Sequence, residues 1–388
     1  MQTQPIKPVI LQILVFALVS AGFTTIYLVQ PVLPIIQLEF GVTEKQASYT
    51  VSSVILGIAL ANLPFGRMSD IYPIKPIIAA GGFVVASFGF LCAASHDLSF
   101  LIVFRFIQGI FIPALTTCLA AYLSRNLPRD RLNVIMGSYV SATVAGGLGG
   151  RLIGGWIHSP SHWRHAFITA SVLVAAASIA SLLWLPAGRM DTNRDVDSPG
   201  FISLIQRMDL LRIFSVAFCA FFVFSAVFNY LPFYLSGPPF NASTGVITLM
   251  YMAYVIGIII GPVSGSISNR LGNGVTMILG TIVLSLSLAS THIHSLFAVG
   301  LSLAGVCGGF FAIHAAAAGS MNRRLSASQG RANSLYILFY YLGGSAGITV
   351  GGQCYQSFGW IGVTVMGLVM LIIPLAVGIT EYIIKKDK

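Results

Sequence analysis

Two arginines and one histidine stand inside long apolar stretches of this chain: Arg105 in LIVFRFIQGI, Arg151 in GGLGGRLIGG and His314 in GFFAIHAAAAG. An arginine at the centre of a lipid-facing helix costs roughly 2.5–3.5 kcal/mol, so such a residue faces a protein interior or a water-filled cavity. There its planar fork can hold an anionic or strongly polar group. The alternative is that each side chain snorkels outward to the headgroups. His314 has two readings as well: a neutral ring bonded across helices, or a proton carrier whose ordinary pKa is close to the working pH. No Asp or Glu occurs deep within an apolar stretch, and no nucleophile, paired acids or metal-ligand cluster is visible. The residues therefore point away from an enzyme, and no metal or other cofactor is expected.

Tyrosines and amides complete the set of polar groups inside apolar segments. Tyrosine offers a flat apolar face and one hydroxyl, which suits a pocket for amphipathic organic molecules. The candidate solute-binding residues are Arg151, Arg105, Tyr27, Gln108, Tyr139, Asn229, Tyr230, Tyr254, Tyr336 and Tyr340. Gln30, Asn62, Tyr251, Asn333 and Gln353 share their setting, and about half of such groups are expected to be interfacial or to serve helix packing instead. For proton coupling the candidates are His314 first, then Asp70 at one mouth and Glu39 near the other.

The elements that must position these groups follow from composition. Of 388 residues, 56% are apolar and only 8% charged, too few charges to cover a soluble surface. The bilayer is the expected solvent, and a span needs about 20 apolar residues. Twelve spans result, near 9–36, 47–70, 76–95, 99–122, 133–157, 164–186, 210–235, 244–268, 274–291, 295–319, 333–355 and 360–383. The first is read as a retained helix rather than a signal peptide, because it runs on through Pro31 and Pro34 without a small-residue cleavage site. Cys92, Cys118, Cys219, Cys307 and Cys354 all fall in apolar segments without paired ligand spacing and are read as buried small hydrophobes.

A net charge of +10 could suggest nucleic acid, yet the basic residues mark alternate loops rather than one face, so no nucleic-acid partner is expected. With the N-terminus inside, the inner segments hold Lys7, Arg67, Lys75, Arg125, Arg129, Arg131, Arg189, Arg194, Arg207, Arg212, Arg270, Arg323, Arg324, Arg331, Lys385, Lys386 and Lys388. The outer ones hold only Lys45 and Arg164. This bias predicts a multi-pass protein of the inner (plasma) membrane with both termini cytoplasmic.

Two glycine runs repeat. GGLGGRLIGG (146–155) and GGSAGITVGG (343–352) share glycines at positions 1, 2, 5, 9 and 10, with Arg151 in the first where the second has Ile348. Gly146, Gly150 and Gly154, like Gly343, Gly347 and Gly351, form a bare stripe at helical spacing, the means by which membrane helices approach closely. Arg131-Leu-Asn133 and Arg331-Ala-Asn333, Gly57 and Gly257, and Gly66 and Gly265 recur at nearly the same separation. The polar stretch 187–209, with Asp191, Asp195, Asp197 and Asp209, divides the copies. The expected fold is thus an all-α membrane protein of 12 transmembrane helices in two pseudo-symmetric six-helix bundles, 1–186 and 210–388, joined by a cytoplasmic linker. Parallel six-span repeats are a transporter arrangement, with solute held between the halves.

GRMSDIYPIKP (66–76) resembles the loop signature of the major facilitator superfamily, G-x-x-x-D-R-x-G-R-K. It keeps Gly66, Asp70 and Lys75 and has Ile71, Pro73 and Ile74 in place of the usual Arg, Gly and Arg. The second copy, from Gly265, supplies Arg270 and Gly272 but has Asn269 for the acid. Arg105, Gln108 and Gly109 are similar to the R-x-x-Q-G signature of the fourth span. The first glycine run resembles the antiporter signature G-x-x-x-G-P-x-x-G-G of the fifth, with Arg151 at the proline. His162-Trp163-Arg164 and Phe167 look like the turn into the sixth.

The resemblance implies alternating access and the proton-coupled efflux branch for a small organic solute. It also implies that Asp70 latches to a loop arginine such as Arg125, Arg129 or Arg131. The glycine stripes themselves are expected to let the halves close tightly as gating contacts. The expected partners are a small, anionic or polar solute, protons and the lipid bilayer, with the chain acting as a monomer. Uptake of an organic anion or sugar is the alternative within transport; a membrane-embedded sensor or enzyme is the alternative outside it.

Overall fold

The computed structural model describes residues 8–127, 129–158, 162–186, 200–325 and 329–386, all of them helix, turn or short connection with no strand among them. Lys7, Arg189, Arg194, Lys388, Asp191, Asp195, Asp197 and the linker through 199 lie outside the described residues. So do the side chains of Arg129, Arg131, Asn133, Lys385 and Lys386.

The chain forms two compact units, Met1–Val32 with Ser53–Asp195, and Leu33–Ser52 with Val196–Lys388. The first contains α1 (Pro8–Tyr27), most of α3 (Glu44–Ile71), α4 (Ile74–Ala93), α5 (Leu98–Leu115), α6 (Thr117–Asn126), α7 (Arg129–His158) and α8 (Trp163–Trp184). The second contains α2 (Leu33–Phe40), the start of α3, α9 (Phe201–Ile205), α10 (Met208–Ser236), α11 (Thr244–Met250), α12 (Val255–Leu271), α13 (Asn273–Ser290), α14 (Leu296–Arg323) and α15 (Gln329–Lys386).

Among the described residues, ten helical stretches are long and apolar enough to cross a membrane. The last of them runs past Gly359, whose φ of 61° breaks α15 into two helices. α7 is a further rod of 30 residues whose glycines and Arg151 dilute its apolar character. The twelve expected crossings are accordingly present as helices. Short connections are capped locally: Asp97 accepts from Ser99 N and Phe100 N, Ser243 from Val246 N and Ser295 from Ala298 N. These caps satisfy amides that the helix ends leave open.

Three crossings are discontinuous. α1 stops at Tyr27, a single 3-10 turn follows at Gln30–Val32, and α2 begins at Leu33. Pro31 and Pro34 cause this, because each lacks the N–H that would bond back to the carbonyl four residues earlier. Pro113 and Thr116 separate α5 from α6, and a 3-10 turn at Tyr251–Tyr254 separates α11 from α12.

The glycine stripes make the tightest helix pairs. A Cβ on Gly146, Gly150 or Gly154 would stand 2.4, 2.3 or 1.7 Å from the carbonyl oxygens of Ser20, Thr24 and Leu28, so α7 and α1 touch backbone to backbone over two turns. Gly343 and Gly347 meet the Phe218 and Phe222 carbonyls at 2.1 Å each, and Gly351 meets Ala226 Cβ at 3.2 Å, so α15 rests on α10 in the same parallel register. Thr24 Oγ1 donates to Ser20 O at 2.8 Å and to Gly146 O at 3.3 Å, which adds polar contact across the first pair. These contacts are internal to each unit. They join two helices of one unit, whereas the glycine spacing in the sequence leads to the expectation that the stripes close one half on the other.

Candidate functional site

The break in the first crossing gathers the buried arginines of the first unit. Where α1 ends, the carbonyls of its last turn lose their helical donors and carry the negative end of the helix dipole. Arg105, fully buried on α5, donates from Nη1 to Thr25 O and from Nη2 to Ile26 O, each at 2.6 Å. Nη1 also reaches Gln108 Oε1 at 2.7 Å, and Gln108 in turn donates to Val85 O at 3.0 Å. The guanidinium carbon lies 5.5 Å from the Phe167 ring centroid. Arg105 is therefore tied to α1, and through Gln108 to α4.

Arg151 approaches the same break from α7. Its Nε donates to Gln30 Oε1 at 2.8 Å, its Nη1 to Gly147 O at 2.7 Å, and its guanidinium carbon lies 4.0 Å from the Tyr27 ring centroid. The side chain is buried, not extended towards a surface. A Cβ at Gly147 would stand 3.5 Å from Nη1, an ordinary contact, so this glycine lies beside the guanidinium without being required by it. Tyr27, Gln30 and Arg151 thus form one cluster, with Arg105 and Gln108 one turn away along α1. Tyr139 is half-buried on α7.

At the far end of α3, Asp70 forms an ion pair with Arg125, which also donates to Ser69 O. Asp70 is largely exposed. Gly66 accepts from Ser69 Oγ at 2.6 Å, and Lys75 is half-buried at the start of α4. In the second unit the counterpart loop is built differently: Asn269 and Arg270 are exposed, Gly265 has open space at its Cβ position, and Ser268 Oγ bonds to Thr276 Oγ1 at 3.0 Å. An ion pair with a better buried acid occurs instead between Arg324 and Glu381, and Glu381 also accepts from Ser320 Oγ at 2.7 Å.

His314 lies in an aromatic cluster of the second unit. Its Nδ1 is 2.9 Å from Tyr336 Oη, and its ring lies 5.2 Å from Tyr340 and 6.0 Å from Phe310. Phe221 stacks on Tyr340 at 3.7 Å and Phe224 on Phe310 at 3.9 Å, while Tyr254 meets Phe224 and Phe228 edge-on. His314, Tyr336, Tyr340 and Tyr254 are thereby brought together. Asn229 and Tyr230 serve elsewhere: Asn229 Nδ2 donates to Ser48 Oγ at 2.8 Å and Tyr230 Oη to Ile348 O at 2.8 Å. Glu39 is exposed on α2, apart from this cluster.

Several participants carry no signal of their own in the sequence. The Thr25 and Ile26 carbonyls have no side-chain signature, though Pro31 and Pro34 mark the break that frees them. Glu381 is hidden at the end of the last apolar segment, and Ser48 looks like an ordinary small residue of a membrane helix. No group of three or more His, Cys, Asp or Glu that could hold a metal occurs among the described residues.

A long helical chain repeated as two units, each locked by a parallel glycine contact and carrying buried polar clusters within apolar helices, defines a multi-pass membrane transporter. The family model of the Major Facilitator Superfamily matches residues 14–290 and 237–384, and the chain belongs to that family. It is 28% identical over 380 residues to the MFS-type transporter YybF of Bacillus subtilis (strain 168), covering 96% of this chain and 94% of the relative. It is 29% identical over 370 residues to the inner membrane transport protein YnfM of Escherichia coli (strain K12), covering 93% and 88%. Among solved structures, an inward-facing, occupied bacterial homologue of the human lysosomal transporter Spinster superposes with a TM-score of 0.74 at 14% identity, covering 98% of this chain and 96% of that one. The nucleoside transporter NupG gives 0.76 at 14% identity, covering 97% and 99%. At such identities the two structures show the fold.

Proposed function

We propose that this chain is a secondary transporter of the inner (plasma) membrane that exports a small organic solute in exchange for protons by alternating access, working as a monomer with both termini in the cytoplasm. The observation that carries this reading is the Arg151–Tyr27–Gln30 cluster, set on the glycine lock at the place where the sequence resembles the antiporter signature. A permanent cation over a phenol ring suits a solute bearing a carboxylate or another electron-rich group. The hydrogen-bonded His314–Tyr336 pair supplies a group that can take up and release a proton, while Asp70 and Glu39 are the further candidates. The preponderance of basic residues on alternate loops supports the orientation.

The test is flux in proteoliposomes with an imposed pH gradient, using labelled aromatic carboxylates and, for the uptake alternative, a labelled sugar. Export predicts solute movement opposite to the proton gradient. Movement of solute along with protons would replace this reading by uptake. Labelling of a cysteine placed at Ser198 by an impermeant reagent outside intact cells would overturn the orientation.

A further inference from the structure

α9 (Phe201–Ile205) is a helix of five residues just before α10. The backbone at Arg207 is extended (φ −74°, ψ 108°), so the chain turns there and α9 is not the first turn of the following span. One side chain anchors it: Leu204 is fully buried, and α9 packs against α10 and α15. The other aliphatic side chains point away from the protein. Ile202 is 74% exposed and Ile205, three positions on along the same face, 36%, while Met208 at the start of α10 is 61% exposed. Ser203, Gln206 and Arg207 are exposed beside them, so the segment is amphipathic.

A helix this short does not persist in water on its own hydrogen bonds, and apolar side chains grouped at one exposed place mark a surface that meets another apolar phase. The surroundings say which phase. Arg324 donates to Asp209 O and pairs with Glu381, which brings the start of α10 beside the end of α15. That end carries exposed Ile379 and Ile383 on a helix long and apolar enough to cross a membrane, so the apolar surface of α9 continues a lipid-facing one. The charge left over here is positive. Arg207 is neutralised by Asp209 at 2.7 Å and Arg324 by Glu381. Arg212, exposed four residues after Met208 on the same face of α10, is in no ion pair among the described residues.

We propose that α9 is an interfacial strap: Ile202, Ile205 and Met208 lie among the upper acyl chains of the leaflet, and Arg212 holds the phosphate of an anionic phospholipid. An amphipathic helix lies along a membrane with its apolar face just below the headgroups and its cations at their level. Each such cation adds its own attraction to an anionic surface. The strap fixes the depth at which the first span of the second unit begins. Assignment of this leaflet to the cytoplasmic side rests on the orientation proposed above; the contact with lipid does not.

The test places a bimane fluorophore on Ile202→Cys or Ser203→Cys, each with Cys354→Ala to remove a half-buried thiol, in the full-length protein in phosphatidylcholine vesicles. Acyl-brominated phosphatidylcholine should quench the Ile202→Cys label strongly and the Ser203→Cys label weakly, and aqueous iodide should do the reverse. Brominated phosphatidylglycerol should be preferred over brominated phosphatidylcholine at the Ile202→Cys label about fivefold. Arg212→Gln should remove most of that preference and Arg212→Lys should keep it. Quenching of the Ile202→Cys label by iodide but not by brominated lipid would place the apolar face in water or under a soluble partner and overturn the proposal. So would equal quenching by the two brominated lipids, or a preference that survives Arg212→Gln. Quenching is read on either side of the membrane, so labelling at Ser198 from outside the cell would defeat the orientation and leave the strap in place.

Discussion

Arg151 holds its guanidinium carbon 4.0 Å from the centroid of the Tyr27 ring while bonding through Nε to Gln30, so one side chain of α7 touches both sides of the break that ends α1. Arg105 binds the same break through Thr25 O and Ile26 O. Lysine keeps the charge but loses the planar fork and its stacking. Arg151→Lys should reduce solute flux several-fold and Arg151→Ala by tenfold or more at matched protein levels. Parental flux in Arg151→Ala would remove the residue from transport.

Replacement of the stripe glycines should be limited by packing before gating. Because Gly150 and Gly347 face carbonyl oxygens at 2.3 and 2.1 Å from an ideal Cβ position, even alanine requires the helix pair to separate. Overpacking of this kind costs about 1–3 kcal/mol. Gly150→Ala and Gly347→Ala should each lower the melting temperature of the purified protein, with leucine worse still. Gly265→Ala, where the Cβ position is open, should leave it unchanged.

The two ion pairs at helix ends should differ in strength. Asp70 is 65% exposed as a side chain and Glu381 only 9%. An exposed pair contributes about 0–1 kcal/mol, whereas breaking a buried one by removing a partner costs about 3–5 kcal/mol. Glu381→Gln should therefore destabilise the protein distinctly more than Asp70→Asn, as measured by thermal unfolding in detergent. An effect of Asp70→Asn on transport with little effect on stability would mark that pair as a latch.

His314 is paired with Tyr336 inside aromatic rings, so its loss should separate coupling from solute handling. His314→Ala should abolish pH-driven accumulation and preserve exchange of labelled against unlabelled solute without a gradient. Unchanged accumulation would take His314 out of the proton path.

A pH effect on stability is expected from His292, which lies between α13 and α14. Burial first and His294 second hold its pKa below the ordinary value of about 6.5. Since the folded pKa is depressed, the unfolded chain binds the proton first as pH falls. The contribution to stability is full above about pH 6.5 and is lost as pH drops towards the folded value. Melting temperature should fall between pH 7.5 and 5.5, and His292→Asn should flatten that slope.

Class, crossings and duplication were legible in the sequence because they follow from averages and periods. A bilayer requires about 20 apolar residues per span, and glycines four apart form a stripe whatever lies opposite. Arg105, Arg151 and His314 also stood out unaided, since a polar group in an apolar run needs a reason. What each one touches depended on the tertiary structure. Arg105 meets carbonyls some 80 positions earlier and Arg151 meets Gln30 across two helices, because prolines interrupt the first crossing and expose its helix end there. The stripes could be seen in sequence, but not their partners; backbone contact assigned them to α1 and α10. Glu381 and the Ser48–Asn229 bond were silent in sequence, because only proximity in space distinguishes a buried ion pair or hydrogen bond from isolated small and charged residues near helix ends.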